Sequence, residues 1–89
     1  MDTTAFEAGL RSDGYTEIER KRYEARPANG EHGHHFSVRG LILDGTFIVT
    51  KQGTPRAYKP GDVFEVPADT LHFEEVGSDG VELIVGRKY

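Results

Sequence analysis

Short apolar runs alternate with turn signals through most of this chain, and that pattern constrains the fold more than any other feature. From residue 15 onward, runs such as "FSVRGLIL", "TFIVT", "DVFEV" and "VELIV" are separated by segments such as "DG", "KPG" and "GSDG". Short strands at near-regular spacing are typical of β-sandwiches and barrels. The sequence therefore predicts one domain, residues 1–89, with a short helix in 1–14 and six or seven strands in 15–89. The dipeptide Asp44-Gly45 is a strong signal for a hairpin turn, and "GSDG" predicts another turn.

Composition excludes several classes of function. Eleven basic residues stand against fifteen acidic ones, so the formal net charge is −4 and there is no basic patch to bind nucleic acid. The apolar runs are too short to span a membrane, and the first residues lack the layout of a signal peptide. We therefore expect a cytoplasmic protein with no nucleic-acid or membrane partner. The chain has no cysteine, so His, Asp or Glu must supply any metal ligands.

The stretch "EHGHHFSVRG" concentrates three of the four histidines. Side chains two residues apart lie on the same side of a strand, so His32 and His34 can face one ion while His35 points away. A third histidine, His72, lies in a later predicted strand. If the two strands are neighbours, the three imidazoles form an arrangement known from catalytic Zn and Fe sites. The residues predicted to line the adjoining pocket are Phe36, Val38, Ile42, Phe64 and Tyr23.

Two motifs in the sequence resemble those of the cupins, which are small β-barrels. The residues that match are His32, His34 and Gly45 in the first motif, and Gly61, Pro67 and His72 in the second. The resemblance implies an all-β, cupin-type barrel (a double-stranded β-helix or jelly roll) with metal ligands at His32, His34 and His72. The sequence also departs from the motifs. The glutamate ligand of the family falls on Val38, the opening glycine falls on Arg26, and the glycine of Pro-x-Gly falls on Asp69.

Glu74 is a candidate replacement for the missing glutamate. It follows His72 by two residues, so it shares the inward face if the strand is regular. A carboxylate inside an apolar barrel is costly unless a metal ion or a hydrogen-bond donor pairs with it. Glu74 would then act as a fourth ligand, as an acid or base, or as a residue that orients a histidine, unless a bulge turns it to solvent. His35 is the alternative ligand if the strand slips by one residue, and otherwise has a supporting role.

Two hypotheses about function stay open. In the first, a divalent ion (Zn, Fe, Ni, Mn or Cu) at the barrel mouth binds a small organic metabolite, and whether it also transforms the metabolite stays open. In the second, the domain is a non-catalytic ligand-binding, sensing or structural module, so the sequence does not decide whether the chain is an enzyme. Arg39 and the arginines of "ERKRYEAR" are weaker candidates for binding a carboxylate, because a solvated strand face explains them as well.

The run "LILDGTFIV" is apolar on both of its strand faces. A small barrel has one interior, so the second apolar face requires cover. The N-terminal helix is one candidate, but a partner subunit is favoured, and the sequence therefore predicts a homodimer. A monomeric mass measured by light scattering would contradict that prediction.

Overall fold

The computed structural model describes residues 1–89 and contains one helix and five antiparallel strands. The elements are α1 (Thr4–Ser12), β1 (Thr16–Tyr23), β2 (Ser37–Lys51), β3 (Thr54–Tyr58), β4 (Val63–Val66) and β5 (Phe73–Lys88). The strand order is β1-β5-β2-β3, and β4 pairs with the first part of β2. The all-β barrel with one short helix, predicted from the strand pattern and the cupin resemblance, is confirmed.

The two longest strands, β2 and β5, form the frame of the barrel. They pair along almost their whole length, from Ser37 opposite Lys88 to Thr50 opposite Phe73. The first part of β2 also pairs with β4, while its last part pairs with β3. Apolar side chains from both parts meet inside, where the rings of Phe47 and Phe64 lie 5.0 Å apart. The bent strands therefore enclose a single apolar core.

The predicted hairpin turn at Asp44-Gly45 is wrong, and so is the turn predicted at "GSDG". Both segments lie inside continuous strands, β2 and β5, so the chain has five strands rather than six or seven. The β2–β5 register shifts on either side of Asp44 and Gly45. Gly45 and Gly80 both have positive φ, of 80° and 77°. A bulge that contains such a glycine bends a strand without ending it, which explains why a turn-like sequence forms a corner of the barrel.

Replacement of Gly45 by alanine tests this corner. A Cβ on Gly45 would lie 1.9 Å from the backbone oxygen of Gly80, and Gly45 is itself paired with Val81, the next residue of β5. Gly53 has a similar φ of 77°, but a Cβ there would meet nothing within 4 Å. We expect Gly45→Ala to lower the free energy of unfolding by about 2 kcal/mol more than Gly53→Ala, as measured by urea denaturation. Equal losses in the two variants would show that the close approach at the corner is unimportant.

Helix α1 covers part of the outer face of the barrel. Leu10 is buried in a small cluster with Tyr15 and Ile84, against which Leu43 of the run "LILDGTFIV" also packs. The helix is followed by Gly14 at φ 88°, a left-handed conformation of the kind that commonly ends a helix. The helix therefore supplies cover that we had assigned to a partner subunit, which removes part of the reason for expecting a homodimer. The homodimer itself stays a prediction.

The only helix, α1, has nine residues, and it is neither long nor apolar enough to cross a membrane.

Candidate metal centre

Backbone hydrogen bonds bring His32 and His72 together. The N–H of His32 donates to the carbonyl oxygen of His72 at 3.0 Å, and the N–H of His72 donates to that of His32 at 2.9 Å. Residues that exchange both bonds in an antiparallel pair carry their side chains on the same face. The two imidazole rings accordingly lie 4.5 Å apart between centroids. The segment before β2 and the segment that leads into β5 are therefore neighbours, as the three-histidine hypothesis requires.

His34 completes the group of three imidazoles. Its ring centroid lies 5.0 Å from that of His32 and 5.6 Å from that of His72. The ring of Phe36 stacks against it at 4.8 Å. Burial lowers the pKa of His34, and the neighbouring charge of His32 lowers that pKa further. The local environment therefore favours the neutral imidazole, which is the form that binds metal ions.

Glu74 faces the same space as the histidines. Its Oε2 lies 2.7 Å from Nε2 of His72 and 3.2 Å from Nε2 of His32. Each of the four residues, His32, His34, His72 and Glu74, offers one ligand atom, and these atoms all lie within 4.8 Å of one another. His72 is only 1% exposed, while the other three are partly exposed. The group is therefore anchored in the barrel wall and open to solvent on one side.

The hydrogen bonds of the imidazoles define which nitrogens face the group. Nδ1 of His32 lies 3.0 Å from the carbonyl oxygen of Gly30, and Nδ1 of His72 lies 2.9 Å from that of Thr70. A carbonyl oxygen only accepts hydrogen bonds, so both Nδ1 atoms carry the hydrogen. In neutral rings each Nε2 then presents a lone pair toward the Glu74 carboxylate. These lone pairs repel one another unless a cation lies among them, either protons on the rings or a metal ion.

Arg26 contributes a positive charge beside this group. Its backbone forms a bridge with Val76, and one terminal nitrogen of its guanidinium lies 3.6 Å from Oε1 of Glu74. The Nε atom of Arg26 is buried without a hydrogen-bond partner. One carboxylate oxygen of Glu74 therefore faces the imidazoles, and the other faces the guanidinium. The sequence alone indicates Arg26 only as one of several weak candidates for binding the carboxylate of a ligand.

The remaining predicted site residues lie at the edges of the group or beneath it. His35 points outward with a fully exposed side chain, and its ring is 3.3 Å from the carboxylate of Asp69. Asp69 has φ 60°, as expected where the cupin motif has glycine. The predicted pocket residues Val38, Ile42, Phe64 and Tyr23 all pack in or against the apolar core, whereas Phe36 contacts His34 at the mouth.

Arg39 lies away from this group. Its guanidinium contacts the carboxylates of Asp13 and Glu65 and stacks over the ring of Tyr15. These partners lie outside the group of histidines, so Arg39 belongs to the solvated strand face, which was the simpler of its two interpretations.

Comparisons with known proteins agree on the fold. A cupin-2 domain protein from Shewanella frigidimarina superposes with a TM-score of 0.65 at 14% identity, over 82% of this chain and 70% of that one. A Cupin 2 conserved barrel domain protein from Salinispora arenicola gives 0.68 at 19% identity, over 81% of this chain and 61% of that one. KdgF from Halomonas gives 0.60 at 20% identity, over 84% and 86%. No protein-family model matches the chain, and no curated protein matches it.

The chain therefore has the fold of a small cupin. The mouth of its barrel contains a group of three histidines and one glutamate that could bind a metal ion. One departure from the cupin motifs lies beside this group, because Arg26 stands at the position of the opening glycine and contacts Glu74. Val38, which stands where the cupin motif has its glutamate ligand, packs against the core instead.

Proposed function

We propose that this chain is a metal-binding cupin in which His32, His34, His72 and Glu74 hold one divalent ion at the mouth of the barrel. The observation that carries the proposal is the meeting of the Nε2 atoms of His32 and His72 with one carboxylate oxygen of Glu74, at 3.2 and 2.7 Å. A divalent cation satisfies all of these groups at once. The hydrogen bonds from Nδ1 to backbone carbonyls orient the rings in the way that is usual for metal-bound histidines. Glu74 takes the place of the family's glutamate from a different strand.

Imidazole and carboxylate ligands suit Zn, Fe, Ni, Mn and Cu, and we propose a divalent ion of this group. Such an ion would act as a Lewis acid on an oxygen atom of a small organic metabolite bound beside it. Phe36 stacks on His34, and its partly exposed ring would restrict the approach of the metabolite from that side. We propose that binding of this metabolite is the function of the site. A turnover assay would decide whether the site also transforms the metabolite.

A structural role for the histidines is the second candidate. The surface has three cavities, and none of them is lined by a histidine. In this alternative the imidazoles carry protons and form a partly buried ion-pair network with Glu74. The prediction below separates the two candidates, because a network satisfied by protons would gain nothing from a metal ion.

Metal loading is expected to stabilise the protein. At a free-ion concentration about 100-fold above Kd, binding to the folded state alone contributes about 2.7 kcal/mol. For a domain of this size, that free energy corresponds to a rise in Tm of about 10 °C or more. The measurement is calorimetry of untagged protein with Zn²⁺, Mn²⁺ or Ni²⁺, together with the metal content after desalting. About one ion per chain and a Tm increase reversed by EDTA support the site, whereas an unchanged Tm with every ion contradicts it.

We propose that the chain forms a homodimer and acts in the cytoplasm. The dimer is tested by light scattering, where a monomeric mass at working concentration would contradict it.

A further inference from the structure

A cavity of about 340 Å³ opens beside the inner face of the last part of β2. Its lining residues are Val49, Lys51, Gln52, Thr54, Arg56 and Tyr58. Val49 and Tyr58 belong to the buried core, so they form the apolar floor of the cavity. Alternate residues of β2 and β3 line it, as expected for side chains that share one face of a sheet. The cavity therefore lies on the face of the sheet that is turned toward the barrel interior.

The strand register places this cavity beside the proposed metal centre. Val49 pairs with Arg56 of β3 on one side and with Glu74 of β5 on the other. Paired residues carry their side chains on the same face, and neighbouring strands lie about 4.8 Å apart, so the backbones of Arg56 and Glu74 are about 10 Å apart. Lys51 is the next residue of β2 on the same inward face. Because Thr50 lies opposite Phe73 in these antiparallel strands, Lys51 lies at the level of His72.

The cavity has positive charge without a carboxylate to balance it. Neither Lys51 nor Arg56 takes part in any salt bridge of the structure. Nζ of Lys51 donates only to the backbone oxygen of Glu65 at 3.4 Å, and the guanidinium of Arg56 lies 4.8 Å from the ring centroid of Tyr58. No acidic residue lines the cavity. Two unpaired cations together are notable in a chain whose net charge is −4.

We infer that Lys51 and Arg56 form a subsite for the anionic group, a carboxylate or a phosphate, of a small organic ligand whose other end reaches the metal centre. The inference rests on the proposed function, because it assigns the ligand of that same site. A planar guanidinium forms two parallel hydrogen bonds with either anion, while the ammonium of Lys51 adds a point charge. The stacking of Arg56 on Tyr58 leaves the nitrogen atoms at the edge of its guanidinium available to the ligand. The backbones of Arg56 and Glu74 are about 10 Å apart, and both side chains extend from the same face of the sheet, so an acid with a short carbon chain suits the gap between them.

The test is a titration of isotope-labelled protein, first metal-free and then loaded with Zn²⁺, followed by NMR. The probes for the metal-free protein are succinate, inorganic phosphate and the neutral analogue succinamide, and succinate is repeated on the Zn²⁺-loaded protein. We expect an anion to shift resonances of β2 and β3, and we expect Arg56→Gln to weaken this binding at least about ten-fold. Lys51→Met is expected to act in the same direction. Tighter binding of succinate than of phosphate assigns a carboxylate, and the reverse order assigns a phosphate ester.

The control is Arg11→Gln, which removes one cation from the exposed surface of α1 and should leave anion binding unchanged. Equal binding of succinamide, equal binding by Arg56→Gln, or absence of any shift with either anion would overturn the inference. A loss of affinity shared by Arg11→Gln would also overturn it, because the effect would then come from net charge. The metal-free titration separates this inference from the proposed function. Anion binding that depends on Arg56 in a protein that takes up no metal retains the subsite and rejects the metal centre.

Discussion

The His72→Ala variant is expected to lose metal binding by at least about 100-fold in affinity. Structural sites with four ligands are worth about 10–16 kcal/mol in zinc-finger peptides, so one ligand contributes about 3 kcal/mol when the total is shared equally. His72 is also 1% exposed, and its Nδ1 hydrogen-bonds to the carbonyl oxygen of Thr70. Its removal therefore leaves a cavity and an unsatisfied carbonyl as well as an incomplete ligand set. The measurement is isothermal titration of untagged, metal-free protein with Zn²⁺.

The matched control for this substitution is His35→Ala. The side chain of His35 is fully exposed and points away from the group, so its removal should leave both the affinity and the fold unchanged. Because His72→Ala could unfold the protein, His34→Ala provides a second variant at a partly exposed position, and we expect it to lose affinity with a smaller loss of stability. Equal metal affinities in the His35 and His34 variants would contradict the assignment of the ligands.

The Glu74→Gln variant is expected to bind a divalent ion at least about ten-fold more weakly while keeping its fold. Glutamine has the shape of glutamate without its charge, so the change removes the anionic ligand but leaves the packing. The expected size follows from charge-assisted contacts, which are worth about 1.5–3 kcal/mol. The measurement is competition with a chromophoric chelator, because this method follows affinities that differ by orders of magnitude.

The neighbouring residue supplies the control for Glu74. Glu75→Gln carries the same chemical change one residue along β5, where the side chain belongs to the opposite face. Its affinity should equal that of the unsubstituted protein. An unchanged affinity in Glu74→Gln would show that the three histidines suffice to bind the ion. The acid or base role would then be the remaining alternative for the carboxylate. Equal losses in both variants would indicate a general electrostatic effect rather than a ligand.

Alternation along the strands explains how the sequence could predict most of the group of residues that forms the candidate metal centre. His32 and His34 share a face because they are two residues apart, and the same argument places Glu74 beside His72. The pairing of His32 with His72 is a long-range contact that no local pattern contains. The two cupin motifs supplied that information, because they identified a known barrel in which these segments are neighbours.

The corners of the barrel could not be predicted by the same reasoning. Asp44-Gly45 has the composition of a tight hairpin turn, and only the pairing partner decides whether it reverses the strand or bends it. Here Gly45 lies against the backbone of Gly80, so two bulges in paired strands support each other. This mutual support is a tertiary contact, and it overrides the local preference for a turn.

The charged residues at the mouth were also outside the reach of local patterns. Arg26 lies in a segment rich in charged residues, where an exposed strand face is the ordinary interpretation, yet its guanidinium contacts Glu74. Lys51 and Arg56 adjoin a turn, and their common orientation follows from the register of β2 with β3. The surroundings of such long side chains are formed by strands that are distant in sequence.

The measurement that tests the central claim most directly is anomalous X-ray diffraction from crystals of the untagged protein grown with Zn²⁺. Data collected above and below the zinc absorption edge locate the ion independently of the protein coordinates. We expect one anomalous peak per chain, coordinated by Nε2 of His32 and His72, by a ring nitrogen of His34 and by an oxygen of Glu74. A barrel mouth without a peak, in crystals whose ion concentration far exceeds any physiological level, would contradict the metal centre.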